Sequence, residues 1–229
     1  MMNFVRSKYL PYALGIICAV MIYLIYMITQ INGYGLSLFS EAMMGDAAIL
    51  LMLIDLIPLF MERIIYTHEH NDITGLKLMH YVKVIIMCIA FVCSVLSLVY
   101  MFIYDYTGKI NLFYLFGRTG CVITTGGFAL LMISTKLKSR SLVQVCATAS
   151  LAGVALMGTC IHLMKLIVIT QEIIQTATVG EAAFQVIFYV AFANLMWLLC
   201  LFLADAGVIY LSACALKRNA RQELPLEYL

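Results

Sequence analysis

Residues 184–216 read FQVIFYVAFANLMWLLCLFLADAGVIYLSACAL. At ~1.5 Å of rise per residue this run is longer than the ~30 Å hydrocarbon core of a bilayer, so it reads as a membrane-spanning helix. It holds one carboxylate, Asp205. A charge in hydrocarbon costs about 2.5–3.5 kcal/mol or more, and such residues face a bundle interior or an aqueous path. Asp205 stands twelve residues before Lys217, which is about 18 Å of helix and close to the midplane. Asn194, eleven residues earlier, and Ser212, seven later, fall within ~20° of it, and Trp197 flanks the same side. One face of this helix is therefore polar along most of its length. It reads either as an interhelical hydrogen-bond seam with a neutral Asp205, or as a transport or binding face on which Asp205 takes up a proton or a cation.

The rest of the chain belongs to the same class. Of its 229 residues, 64% are hydrophobic and 11% charged, with a mean hydropathy of +1.01. No polar stretch is long enough for a soluble domain of ~50 residues or more. The net charge of +2 is spread along the edges of apolar runs, so nucleic acid is not implied. All eight cysteines fall inside apolar runs and read as small core residues, not as a disulfide framework or a metal set. No cofactor and no metal are called for.

Six apolar runs are expected to span the membrane, over about 9–29, 42–61, 82–104, 116–134, 149–170 and 190–216, as a single all-α six-helix bundle without a separate domain. The first reads as an uncleaved transmembrane helix, because it lacks the short core and small-residue cleavage site of a signal peptide. Neither end carries a lipidation or retention signal. After it comes a loop over 30–41 with Gly33-Tyr34-Gly35, which reads as a glycine turn and not as a channel filter, since no pore helix precedes it. The second run carries Asp46 and Asp55, nine residues apart and so on opposite faces. His68, His70 and Glu69 fall in a solvated loop over 62–81, with no ligand set to support a metal.

In the fourth run Gly117, Gly120, Thr124 and Gly127 lie on one face, a stripe for close helix packing. Arg118 enters that run as an interfacial arginine with its head in the headgroups. The fifth run, 142–170, is about 43 Å long if continuous and must tilt, bend or protrude. It places His162 and Lys165 at i and i+3 in its outer half. Asp46 and Lys165 lie at similar depth, about 6–8 Å below the same interface, and are expected to pair. The loop over 171–183 holds two glutamates and no basic residue.

Basic residues divide sharply between the two sides. Arg6, Lys8, Arg63, Lys77, Lys83, Lys136, Lys138, Arg140, Lys217, Arg218 and Arg221 lie on the side of the termini, and only Lys109 and Arg118 on the other. By the positive-inside rule both termini are cytoplasmic, most simply at a plasma membrane. Six spans divide into two halves of three, so an internal repeat would be inverted, but no residue similarity between the halves supports one.

Transport is the function class these features favour, as a carrier or as the permease or substrate-binding subunit of a complex whose ATPase is another chain. Asp205, Asn194, Ser212, Trp197 and Asp55 are the candidate transport or binding face, and Asp46, Lys165 and His162 the outer-half charge group. The alternative is a non-catalytic membrane partner of the immunity, sensor or assembly kind. A cysteine peptidase built on His80 and Cys88 is remote, because eight helical residues separate them by ~12 Å.

Overall fold

The computed structural model describes residues 10–35, 40–65, 73–104, 111–137, 139–176 and 181–220. Over these the chain is all-α. The helices are α1 (Leu10–Tyr34), α2 (Glu41–Ile65), α3 (Ile73–Tyr104), α4 (Leu112–Leu137), α5 (Arg140–Met157), α6 (Leu163–Thr176) and α7 (Glu181–Ala220), with one π-helical turn, Gly158–His162, joining α5 to α6. Among the described residues five helices are long and apolar enough to cross a membrane: α1, α3, α4, the α5–α6 rod and α7. The protein is a multi-pass membrane protein. Helices form here because hydrocarbon offers backbone amides no partner, so each segment must satisfy its own. Side-chain hydroxyls are hidden the same way, as where Thr119 donates to the Leu115 carbonyl and Thr124 to that of Gly120, both at 2.8 Å.

Contacts run around a closed ring: α1 on α2, α2 on α3, α3 on α4, α4 on α5, the α5–α6 rod on α7, and α7 back on α1. α2 also reaches α7 across the interior, with Met43, Ala48, Ile49, Met52 and Leu56 buried. On α1 the buried positions Ala19, Tyr23, Tyr26 and Gln30 recur every three or four residues, while Leu14, Ile17, Met21, Ile25 and Ile28 face outward. That is the helical period with the polar ends turned inward, as lipid requires.

Helix limits differ from the expected ones wherever polar residues continue an apolar run. The stretch 171–183 is not all loop, since α6 runs on to Thr176 and α7 begins at Glu181. Most of 62–81 is also helical, with α2 reaching Ile65 and α3 starting at Ile73. Polar residues suit helix as well as loop once they stand beyond the hydrocarbon, so hydropathy ends a span before the helix itself ends. The His68-Glu69-His70 segment lies outside the described residues, as do Lys109 and Lys138. Gly33 and Tyr34 are helical, and Gly35 closes α1 with φ +65°, its N–H donating to the Ile31 carbonyl at 3.0 Å. That is a left-handed glycine cap.

The small-residue stripe of α4 meets the α5–α6 rod. A Cβ added at Gly120 would lie 2.7 Å from the Met157 amide nitrogen and 2.8 Å from the Gly153 carbonyl oxygen, and one at Gly127 would lie 2.8 Å from Ser150 Oγ. Thr124 returns the contact, since a Cβ on Gly153 would lie 2.6 Å from its amide nitrogen. Backbone approaches backbone here, which only glycine permits. The rod and α7 are the longest elements, and Asn219 Nδ2 donates to the Arg140 carbonyl at 3.1 Å, tying their ends together.

Candidate functional site

Polar side chains, most of them buried, form three successive groups alongside α7. The first is nearest the turn from α6 to α7. There Gln30 Nε2 donates to Asn194 Oδ1 at 2.8 Å, and Asn194 Nδ2 donates to Glu172 Oε2 at 3.3 Å. This chain of amides joins α1, α7 and α6.

The second group is the most highly charged. Lys165 Nζ donates to Asp46 Oδ1 at 3.0 Å and to Oδ2 at 2.9 Å, and to the Tyr26 hydroxyl at 3.1 Å. Tyr26 in turn donates to Asp46 Oδ2 at 2.7 Å. The ammonium also lies 4.9 Å from the Tyr26 ring centroid, within cation–π range. Trp197 is wholly buried behind it, stacked on Tyr26 at 5.5 Å and tilted against Tyr23 at 5.0 Å. Arg118 belongs to this group and was not legible as a member. It is only 2% exposed, with its guanidinium against Gly45, where any Cβ would collide with it, and beside Ser97. It lies within electrostatic reach of Asp46, Tyr26 and Lys165. The expectation of a snorkelling interfacial arginine is therefore corrected. A missing side chain at Gly45 opens a slot inside the bundle, and the side chain follows it inward.

The third group is His162 and Asp205. His162 Nδ1 lies 2.8 Å from Asp205 Oδ2, although neither ring nitrogen of His162 makes a formed hydrogen bond among the described residues. The Phe202 ring closes over His162 edge-on at 5.5 Å. The π-helical turn sets this position: Leu163 N–H reaches back five residues to the Gly158 carbonyl, and a Cβ on Gly158 would stand 3.8 Å from Asp205 Oδ2. Inserted turns of this kind re-aim side chains in otherwise regular helices.

The residues grouped on α7 by angle do share its buried face, yet the structure divides them among different partners. Asn194 joins Gln30 and Glu172, Trp197 joins the tyrosines, and Asp205 joins His162. Ser212 is buried with no hydrogen-bond partner among the described residues. Asp55, on α2, shares no hydrogen bond with these α7 residues. It is 2% exposed, neither oxygen has a hydrogen-bond partner among the described residues, and its field reaches Lys83. His162 is not a third member of the Asp46–Lys165 group. Its short side chain stays with α7, whereas the long lysine stem crosses to α1 and α2.

The cysteines are free, and they are not uniformly core: Cys121, Cys146 and Cys200 are buried, while Cys18 and Cys88 are exposed. The chain is continuously helical from Ile73 through Cys88, so the ~12 Å separation of positions 80 and 88 stands. Among the described residues no group of three or more His, Cys, Asp or Glu is arranged to hold a metal ion. No family model, curated protein or solved structure matches the chain, so its function has to be argued from these three polar groups.

Proposed function

We propose that the protein is a transporter, or the membrane-embedded permease or substrate-binding subunit of a transport complex, and that its polar column is the path or part of it. The supporting observation is the run of buried and half-buried polar groups Glu172–Asn194–Gln30, Lys165–Asp46–Arg118 and His162–Asp205 through an otherwise apolar bundle. Burying Asp46, Arg118 and Asp205 inside a bundle is costly, and a bundle needing only to hold together would use aliphatic packing. In this proposal α2 is a sixth span, enclosed by the other five. Both termini are cytoplasmic and the membrane is the plasma membrane, as the basic-residue asymmetry favours. Any energy source is a separate chain, such as an ATPase.

Proton flux into proteoliposomes holding trapped pyranine tests the reading. Wild-type protein should dissipate an imposed pH difference faster than empty liposomes, and Asp205→Asn should fall to the empty-liposome rate. A permease inert without its partner should instead co-purify from its native membrane with an ATP-hydrolysing chain. Neither flux nor such a chain would count against transport.

A further inference from the structure

Arg118 has a role that the pairings above do not fill. Among the described residues its layer holds two cations, Lys165 and Arg118, and one carboxylate, Asp46, both of whose oxygens accept from Lys165. Arg118 Nε and Nη1 are buried and have no hydrogen-bond partner among the described residues. A buried carboxylate in that position escapes the cost by taking a proton, but a guanidinium does not titrate in proteins and keeps its charge. An uncompensated buried cation is strongly unfavourable, so the layer calls for one more negative charge.

The chemistry of that charge follows from the side chain. A guanidinium presents planar, forked donors that match a carboxylate, whereas a lysine offers a point charge. Arg118 stands six residues into α4, about 9 Å of helix from its first residue, so it lies toward the end of the bundle where α1 passes to α2. Gly45 supplies a backbone wall without a side chain, and the Ser97 hydroxyl lies close by. We infer that Arg118 anchors a binding site for a small carboxylate solute, seated beside the Asp46–Lys165 pair and neutralising its excess positive charge. The inference rests on this charge count and this burial, not on whether the protein transports anything.

Trp197, the chain's only tryptophan, reports on the site, because it stacks on the Tyr26 ring whose hydroxyl bonds both Asp46 and Lys165. Purified protein titrated with sodium formate or acetate at constant ionic strength should show a saturable change in Trp197 emission, and sodium chloride should not. Arg118→Gln should weaken that response by about tenfold or more, with Arg118→Lys in between. Should the glutamine variant not fold, wild-type protein alone decides: its unfolding temperature should rise with formate concentration and not with chloride. An unsaturable response, saturation by chloride alone, or equal binding by folded Arg118→Gln overturns the site. So does a silent wild type whose Glu41→Gln variant responds, since the chain's own carboxylate one turn before Gly45 would then be the missing charge. Formate binding with neither flux in liposomes nor a co-purifying ATP-hydrolysing chain would leave this site standing and remove the transport reading.

Discussion

Lys165 Nζ straddles the carboxylate of Asp46, at 3.0 Å from one oxygen and 2.9 Å from the other, although 119 residues separate the two in the chain. Asp46 is wholly enclosed and the lysine side chain only partly exposed, so water does little to weaken the attraction. The pair fastens α6 to α2 across α1, with the Tyr26 hydroxyl as the third member.

Removing one partner should therefore hurt more than removing both. Asp46→Asn leaves two cations with no carboxylate among the described residues and should cost about 3–5 kcal/mol, the range for breaking a buried pair. Lys165→Met should cost less, because Arg118 still faces Asp46. The double variant should recover part of the loss. Unfolding in detergent across the four-member cycle reads this directly, and additive single effects would mean that the pair is not coupled.

The His162–Asp205 contact makes a different prediction, about activity more than stability. Asp205→Asn keeps the shape and hydrogen-bonding capacity of the side chain but not its proton exchange. It should stay folded by gel filtration and circular dichroism while proteoliposome flux drops to background, and His162→Gln should do the same. A folded Asn variant with full flux would reduce the contact to a structural seam.

Close packing of α4 on the α5–α6 rod should be sensitive to a single methyl. Gly120→Ala places that methyl against backbone atoms of Met157 and Gly153, which cannot swing aside, and should destabilise by about 1–3 kcal/mol. Gly35→Ala meets nothing within 4 Å and bears only the left-handed strain at φ +65°, about 1–2 kcal/mol. In unfolding in detergent the α4 substitution should be the more damaging. The reverse order would show that the helices can part at small cost.

Orientation is open to chemical labelling. With the native thiols first blocked by serine replacement, single cysteines at Ser37 and Thr176 should react with an impermeant maleimide on intact cells, and one at Asn71 should not. Positions 37 and 71 lie outside the described residues, so the expectation rests on the basic-residue asymmetry alone. Labelling at Asn71 with silence at Thr176 would invert the topology.

By itself the sequence determined the helical, multi-pass character of the protein, because apolar run length is a one-dimensional property that a bilayer reads directly. It also brought one carboxylate and one cation to a common depth. Asp46 and Lys165 sit at matching distances from one interface, and depth can be counted along the chain. The buried face of α7 followed in the same way from angular spacing, which placed Asn194, Trp197, Asp205 and Ser212 on one side.

Only the tertiary structure decided which partner each of those residues takes. His162 closes the π-helical turn and Lys165 follows it in the first turn of α6, but a short imidazole meets the adjacent α7 while a long lysine stem reaches the helices beyond it. Arg118 was the least legible. At the start of a span the headgroups and the interior are equally within its reach, and the choice turns on Gly45, seventy-three positions earlier in the chain. A slot made by an absent side chain on another helix has no signal in the local sequence, because it exists only once the two backbones are packed together.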